Sequence, residues 1–323
     1  MRDNKKLYLV IPCYNEEEML GITNEKLLEK MKSLIEQKLI SNDSRIVYVN
    51  DGSKDKTWEI ISGFAKEYEL VQGISLSRNK GHQNALLAGL YTVSDYCDIT
   101  ISMDADLQDD INAIDEMVKK YHEGNEVVYG VRSSRKKDTF FKRTTAQGFY
   151  KIMKMLGVDI VYNHADFRLM SKRVVKELMN FREYNVFLRG MVPLVGFKND
   201  IVYYERNERI AGESKYPLKK MLSFALDGIT SFSVKPIRMV MALGVIIFTL
   251  SIAMLIYSLI SHFLGNTVLG WSSLIVSIWA IGGLELLAIG IVGEYIGKMY
   301  METKARPKFI VETYLKDDED DNN

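Results

Sequence analysis

The chain has 323 residues, enough for one large domain or two modest ones, and 47% of them are hydrophobic, so it can bury a sizeable core. Its 42 basic residues balance 42 acidic ones, which excludes a global electrostatic pull toward nucleic acid and leaves any charge work to local clusters. The two cysteines, Cys13 and Cys97, match no metal-ligand spacing and give no disulfide framework.

The N-terminal run "LYLVIP" is too short for the core of a secretory signal, so the chain is expected to start in the cytosol. From there to about residue 215 the pattern alternates. The apolar runs "LYLVIP", "RIVYVN", "VQGISLS", "DITISMD" and "EVVYGVR" read as strands. Between them lie helical patterns, such as Leu27, Leu28, Met31, Leu34 and Ile35, then "KTWEIISGFAKEY" and "INAIDEMVKKY". Strand and helix in alternation imply an α/β domain with a mostly parallel sheet covered on both faces, and such sheets bind ligands beyond the carboxyl ends of their strands. The polar clusters fall there: "CYNEE" after the first strand, "NDGSKD" after the second, "DADLQDD" after the fourth. Asp104 and Asp106, one residue apart past a buried strand, can share a divalent cation, and hard oxygen ligands suit Mg2+ or Mn2+. Asp109 and Asp110 read instead as caps for the helix that follows.

A different composition follows. "PLKKMLSFALDGITSFSVK" spaces its apolar residues helically beside lysines and reads as an interfacial amphipathic helix over 216–235, packing of that face onto the preceding domain being nearly as good a reading. From Met239 to Leu284 no Asp, Glu, Lys or Arg occurs. A membrane-spanning helix needs about 20 residues, so two fit, near 237–264 and 271–297, with "GNTVLG" as the turn of a hairpin occupying 236–299. Basic residues flank the hairpin on both sides (Lys235, Arg238, Lys298, Lys304) and are absent from its turn, which places both ends, and with them the domain of residues 1–215, in the cytoplasm. Residues 300–323 read as a cytosolic tail whose acidic end, "KDDEDDNN", is disordered. Glu285, a carboxylate at membrane depth, reads as a helix–helix or oligomer contact.

"IPCYNEE", "VNDGSKDKT", "NKGHQNALLAGL", "MDADLQDD", "DFRLMSKRVV" and "RIAGESKYPLKKM", in this order, resemble the motifs of inverting GT-A glycosyltransferases, and among these the polyprenyl-phosphate glycosyltransferases that include dolichol-phosphate mannose synthases and bactoprenol glucosyltransferases. The resemblance implies a GT-A fold and transfer of a hexose, glucose before N-acetylglucosamine, from a UDP-sugar to undecaprenyl phosphate at the cytoplasmic face of the cell membrane. It implies partners as well: the donor, the lipid acceptor, the bilayer, and further copies of the chain, up to a tetramer. Pro12, Tyr14, Glu16 and Asp51 would line the uridine pocket, with a departure at Asn50, where many relatives carry an aspartate. Asp104, Asp106 and Gln108 would hold Mg2+ or Mn2+ against the diphosphate. Arg209 and Lys215 would close over the diphosphate, although Lys215 also fits a plain membrane-facing charge. Arg132, Arg143 and Arg168 would take the acceptor phosphate, and Asp166 would stand at the reaction centre. His82, near a helix start, reads as a structural hydrogen-bonder rather than a base. A processive polysaccharide synthase fits less well, since "QxxRW" is absent; a catalytically silent scaffold is the alternative from outside the enzymes.

Overall fold

The computed structural model describes residues 4–133, 164–183, 186–207, 235–264 and 271–316. They form two compact units, one holding the described residues from 4 to 207 together with 305–316, the other holding 235–304.

The first unit begins with β1 (Leu7–Cys13), α1 (Leu20–Glu36), β2 (Arg45–Asn50), α2 (Thr57–Glu67), β3 (Val71–Leu76), α3 (His82–Val93), β4 (Ile99–Ser102), α4 (Ala113–His122) and β5 (Val127–Arg132). These five strands coincide with the five apolar runs. Every residue of β1 is buried, as a parallel strand covered on both faces requires. Leu20, Leu27, Leu28, Met31 and Leu34 of α1 are buried too, the stripe that 3.6 residues per turn aligns on one face. Then come β6 (His164–Ser171), α5 (Lys172–Met179), α6 (Leu188–Leu194) and β7 (Asn199–Tyr204), and β8 (Val311–Leu315) joins from beyond residue 304.

The sheet order is β7-β5-β6-β4-β1-β2-β3-β8. Strands β4, β1, β2 and β3 run parallel. Strand β7 runs parallel to β5. The chain winds outward from β1 to β3 and then returns to place β4 on the other side of β1, so the order reverses there and a crevice opens beyond the carboxyl ends of these two strands. The expected α/β architecture with a mostly parallel sheet is therefore present. Two strands run the other way. β6 lies antiparallel between β4 and β5, which brings its first residues to the crevice end of the sheet. β8 pairs antiparallel with β3, Ile74 opposite Tyr314, so part of the expected tail is a sheet edge. It is fastened by Tyr314 Oη donating to Gln72 Oε1 at 2.7 Å and Lys308 Nζ donating to the Phe181 carbonyl at 3.0 Å. The acidic run from 317 onward lies outside the described residues.

In the second unit α7 (Lys235–Phe263) and α8 (Trp271–Lys304) take up the uncharged stretch on either side of the expected turn, 265–270, which lies outside the described residues. Among the described residues no helix is long and apolar enough to cross a membrane. Many apolar side chains on these two helices are nonetheless exposed, including Met239, Ile246, Leu250, Leu286 and Ile289. The expected interfacial helix lies outside the described residues up to Lys235.

Helix α3 packs on β1 and β2 through Gly89, where a Cβ would stand 2.4 Å from Val10 Cγ1 and 2.6 Å from Val49 Cγ2. Gly to Ala inside a helix ordinarily stabilises by about 0.5–1 kcal/mol. At Gly89 the sign should reverse: Gly89→Ala should cost about 1–3 kcal/mol through overpacking, read as a lower denaturation midpoint. A midpoint at or above that of wild type would show that α3 does not sit this close to the sheet.

Candidate active site

The crevice is assembled from the loops after β1, β2 and β4, the start of α3 and the start of β6. The loops after β1 and β2 are stitched together by Ser53 Oγ accepting from the Asn15 N–H (3.1 Å) and Thr57 Oγ1 from the Glu16 N–H (2.9 Å). Pro12 is buried, Glu16 half-buried and Tyr14 exposed at this rim. Asp51, read from the sequence as a uridine ligand, is buried and accepts from the Lys80 N–H at 2.6 Å and the Gly81 N–H at 2.8 Å. Its carboxylate thus holds the segment that launches α3, and burial raises its pKa against those two hydrogen bonds. Asn50 uses both ends of its amide, Oδ1 accepting from the Ser53 N–H (3.1 Å) and Nδ2 donating to Ser75 Oγ (3.1 Å). An aspartate in its place could only accept, so Ser75 would have to turn its hydroxyl and donate.

The "DAD" loop is anchored along its length. Thr23 Oγ1 of α1 donates to the Ala105 carbonyl at 2.7 Å. Asp106 Oδ1 accepts from the Gln108 N–H at 3.2 Å, across Leu107, which sits at φ 53°. That left-handed backbone costs of order 1 kcal/mol in a non-glycine residue and persists only where the surroundings enforce it. Gln108, expected as a metal ligand, has its Oε1 bonded to the Arg206 guanidinium. Asp109, expected as a helix cap, is buried and accepts from Tyr204 Oη and, at 3.4 Å, from Arg132 Nη2. Asp110 Oδ1 accepts from the Asn112 N–H at 2.9 Å in the turn just before α4, whose N-cap, Asn112, makes no side-chain cap bond, so neither aspartate caps the helix as expected. Arg132, expected at the acceptor phosphate, is committed to Asp109 and to Tyr204 Oη.

Asp166 lies in β6, beside the end of β4, where Ser102 Oγ donates to its backbone carbonyl at 2.6 Å. Its Oδ1 is 2.6 Å from Arg168 Nη2, and Arg189 Nε and Nη2 reach Oδ1 and Oδ2 at 3.3 and 3.2 Å. Burial alone would raise its pKa, but the two guanidiniums, with His82, hold it far below the usual carboxylate range. Arg168, expected as a phosphate contact, is fully buried, donating also to the Leu188 carbonyl at 3.2 Å. It supports Asp166 from inside the fold and meets no solvent. His82 Nε2 stands 3.5 Å from Asp104 Oδ1 and 3.7 Å from Asp166 Oδ2, bridging the two acidic centres.

Arg189, Gln83 and Tyr204 belong to this constellation and were not singled out by sequence reasoning. Arg143, Arg209 and Lys215 lie outside the described residues.

Asp104 and Asp106 offer the hard carboxylate oxygens that Mg2+ or Mn2+ takes. Among the described residues no group of three or more His, Cys, Asp or Glu is arranged to hold a metal. Burial pushes the Asp104 pKa up to about 6; His82 opposes the rise, and the carboxylates of Asp109, Asp166 and Asp106 add to it.

Residues 8–179 match the glycosyl transferase family 2. The chain is 55% identical to the uncharacterized glycosyltransferase YkoT of Bacillus subtilis (strain 168), over 96% of its own length and 92% of that protein's. It is 40% identical to the prophage bactoprenol glucosyl transferase homolog of Escherichia coli (strain K12), over 96% of this chain and 100% of that one. It is also 40% identical to the bactoprenol glucosyl transferase of Shigella phage SfV, over 95% and 98%.

Because the folded-state pKa of Asp104 lies above its unfolded value, the folded state holds more proton between pH about 4 and about 6, and stability from this group falls as pH rises through that window. In excess chelator Asp104→Asn should therefore melt above wild type at pH 7.5, with the difference closing below pH 4. A variant that melts below wild type at pH 7.5 would contradict the crowding.

Proposed function

The chain belongs to glycosyl transferase family 2 and is a glycosyltransferase, and we propose that it moves glucose from UDP-glucose to undecaprenyl phosphate at a membrane surface, inverting the anomeric centre. The observation that carries this reading is near-full-length likeness at 40% identity to proteins named bactoprenol glucosyl transferase, joined to a crevice whose two acidic centres are bridged by His82.

A lipid phosphate is already anionic at neutral pH, so attack on the anomeric carbon needs no strong base. The enzyme's contribution is positioning and charge. Asp104 and Asp106 would hold Mg2+ or Mn2+, which supplies charge neutralisation for the departing diphosphate. Glu16, Tyr14 and Pro12 at the rim face the nucleotide, while Asp51 shapes that wall by holding the backbone at Lys80 and Gly81. Arg209 and Lys215, in the motif "RIAGESKY", would by the family resemblance meet the diphosphate. Asp166, pinned by two guanidiniums, is a poor proton acceptor and a good fixed charge, so it orients rather than attacks. One displacement on the face opposite UDP converts an α-linked donor to a β-linked product.

Membrane anchoring by α7 and α8 rests on the uncharged stretch from Met239 to Leu284 and on the exposed apolar side chains of both helices. The distribution of lysine and arginine favours both ends of the helical stretch on one side of the bilayer. Assembly into an oligomer fits the same apolar surface.

The activity is tested by incubating purified full-length protein with undecaprenyl phosphate and a panel of radiolabelled UDP-sugars. Glucose should transfer to lipid as the β anomer by proton NMR, and chelator or Asp106→Asn should reduce turnover by about 100-fold or more. Retained α configuration, or full turnover in excess chelator, would overturn the mechanism. For topology, a cysteine replacing Asn266, in a chain with Cys13 and Cys97 substituted, should react with an impermeant thiol reagent outside intact cells, whereas one replacing Ser41 should not.

A further inference from the structure

Tyr204 closes β7, where the pleat sends neighbouring side chains to opposite faces: Tyr203 is 66% exposed and Tyr204 is buried. Its register partner is Arg132, at the end of the parallel strand β5. The Tyr204 carbonyl accepts from both the N–H (2.9 Å) and the hydroxyl (3.1 Å) of Ser133, so the two strand ends are tied together beneath the crevice.

The side chain reaches away from that tie in a fixed direction. Its ring lies edge-on to Phe167 of β6, with centroids 5.4 Å apart and planes at 86°. Phe167 is itself packed closely, since a Cβ on Gly130 would stand 2.8 Å from its Cδ1. With the ring held there, the phenol oxygen accepts from Arg132 Nε at 3.4 Å and donates to Asp109 Oδ1 in the acidic loop. The route from that bond to Asp106 is short. Asp109 follows Gln108, whose carbonyl accepts from the Asn207 N–H at 2.9 Å, three residues beyond Tyr204, and whose own N–H donates to Asp106 Oδ1 at 3.2 Å. Between Asp106 and Gln108 stands Leu107 at φ 53°, a backbone that a non-glycine residue keeps only where its surroundings enforce it. The end of β7 supplies that enforcement on the Asp109 side, as Thr23 does at Ala105.

Resting on the proposed cation at Asp104 and Asp106, we propose that Tyr204 is a positioning residue for the transfer: its hydroxyl, through Asp109 and the turn at Leu107, sets where the Asp106 carboxylate stands. The ring fills core space whatever its substituent; the hydroxyl has the separate task of holding the loop. Tyr204 acts through Asp109 and not on a substrate.

Tyr204→Phe removes the hydroxyl and keeps the ring. Full-length protein in detergent micelles is compared as wild type, Tyr204→Phe and Ile61→Ala, the last deleting a buried side chain of α2, away from the acidic loop, as a control for lost stability. Free Mn2+ is followed by electron paramagnetic resonance in the presence of UDP, alongside thermal melts and amide hydrogen exchange of the metal-free protein. Tyr204→Phe should raise the Mn2+ dissociation constant about 10-fold, the scale on which outer partners of metal ligands act, and should speed exchange across residues 104–109. Ile61→Ala should melt lower and leave the Mn2+ constant within about twofold of wild type. If Tyr204→Phe does not fold, Asp109→Glu decides: it keeps the charge and shifts the carboxylate by one methylene, so its Mn2+ constant must rise. A Mn2+ constant for Tyr204→Phe within about twofold of wild type, or an equal rise in Ile61→Ala, would overturn the assignment and leave the transfer reaction standing. Absence of Mn2+ binding by wild type would remove the cation and this assignment together.

Discussion

A fully buried guanidinium has no tolerable state without a carboxylate beside it, because an unpaired charge in the interior costs several kcal/mol. Arg168 imposes that condition on the crevice. Its partner must lie within hydrogen-bond reach, and Asp166, two residues earlier on the same strand, meets it. The pair can stand at the functional end of the sheet only because β6 runs antiparallel to β4, which delivers the first residues of one strand beside the last residues of the other. A parallel strand in the same slot would have put this sequence at the opposite end. From Arg168 the constraint spreads to the Leu188 carbonyl, so the helix carrying Arg189 is positioned by a residue that no substrate touches.

The acidic loop after β4 is held by a second, independent set of contacts. Thr23 fastens its start, and the Tyr204–Asp109–Arg132 cluster and Arg206 fasten its end. Leu107, at positive φ between them, is where the two anchors disagree with ordinary backbone preference. The effect is to keep Asp104 and Asp106 close to other carboxylates despite their repulsion. A loop free to relax would separate these charges. This one keeps them crowded, which adds to the desolvation that already raises the proton affinity of Asp104.

The parallel half of the fold was legible in the sequence because strands buried on both faces read as unbroken apolar runs, and the chemistry at their ends announces itself as clusters of polar residues. β6 was harder to read as a strand, since "HADFRLMS" sets a charged residue at a fully buried position and so violates the pattern that marks its neighbours. β8 is five residues long and lies past a long uncharged stretch and the end of a long helix, where nothing local indicates that the chain returns to the sheet. Arg189 sits in "NVFLRGM" with no acidic neighbour, and its partner is 23 residues earlier, a distance that only tertiary structure closes. Asp109 looks like a cap because capping residues and buried ion-pair partners share the same one-letter code. The difference lies in Tyr204, which is 95 residues away. The sequence carried the types of residue at the site more clearly than it carried their pairing.

The edge strand β8 also sets a schedule. During synthesis the ribosome must make roughly 100 residues after β7 before Val311 exists to pair with Leu76. At about 5–20 residues per second that interval lasts roughly 5–20 s. Throughout it the outer edge of β3 shows unpaired N–H and carbonyl groups, the kind of surface on which strands from other chains add. The domain that carries the crevice is therefore assembled early and finished late, with the helices made in between. A stalled or prematurely terminated chain would have its crevice loops in place and its sheet still open on one side.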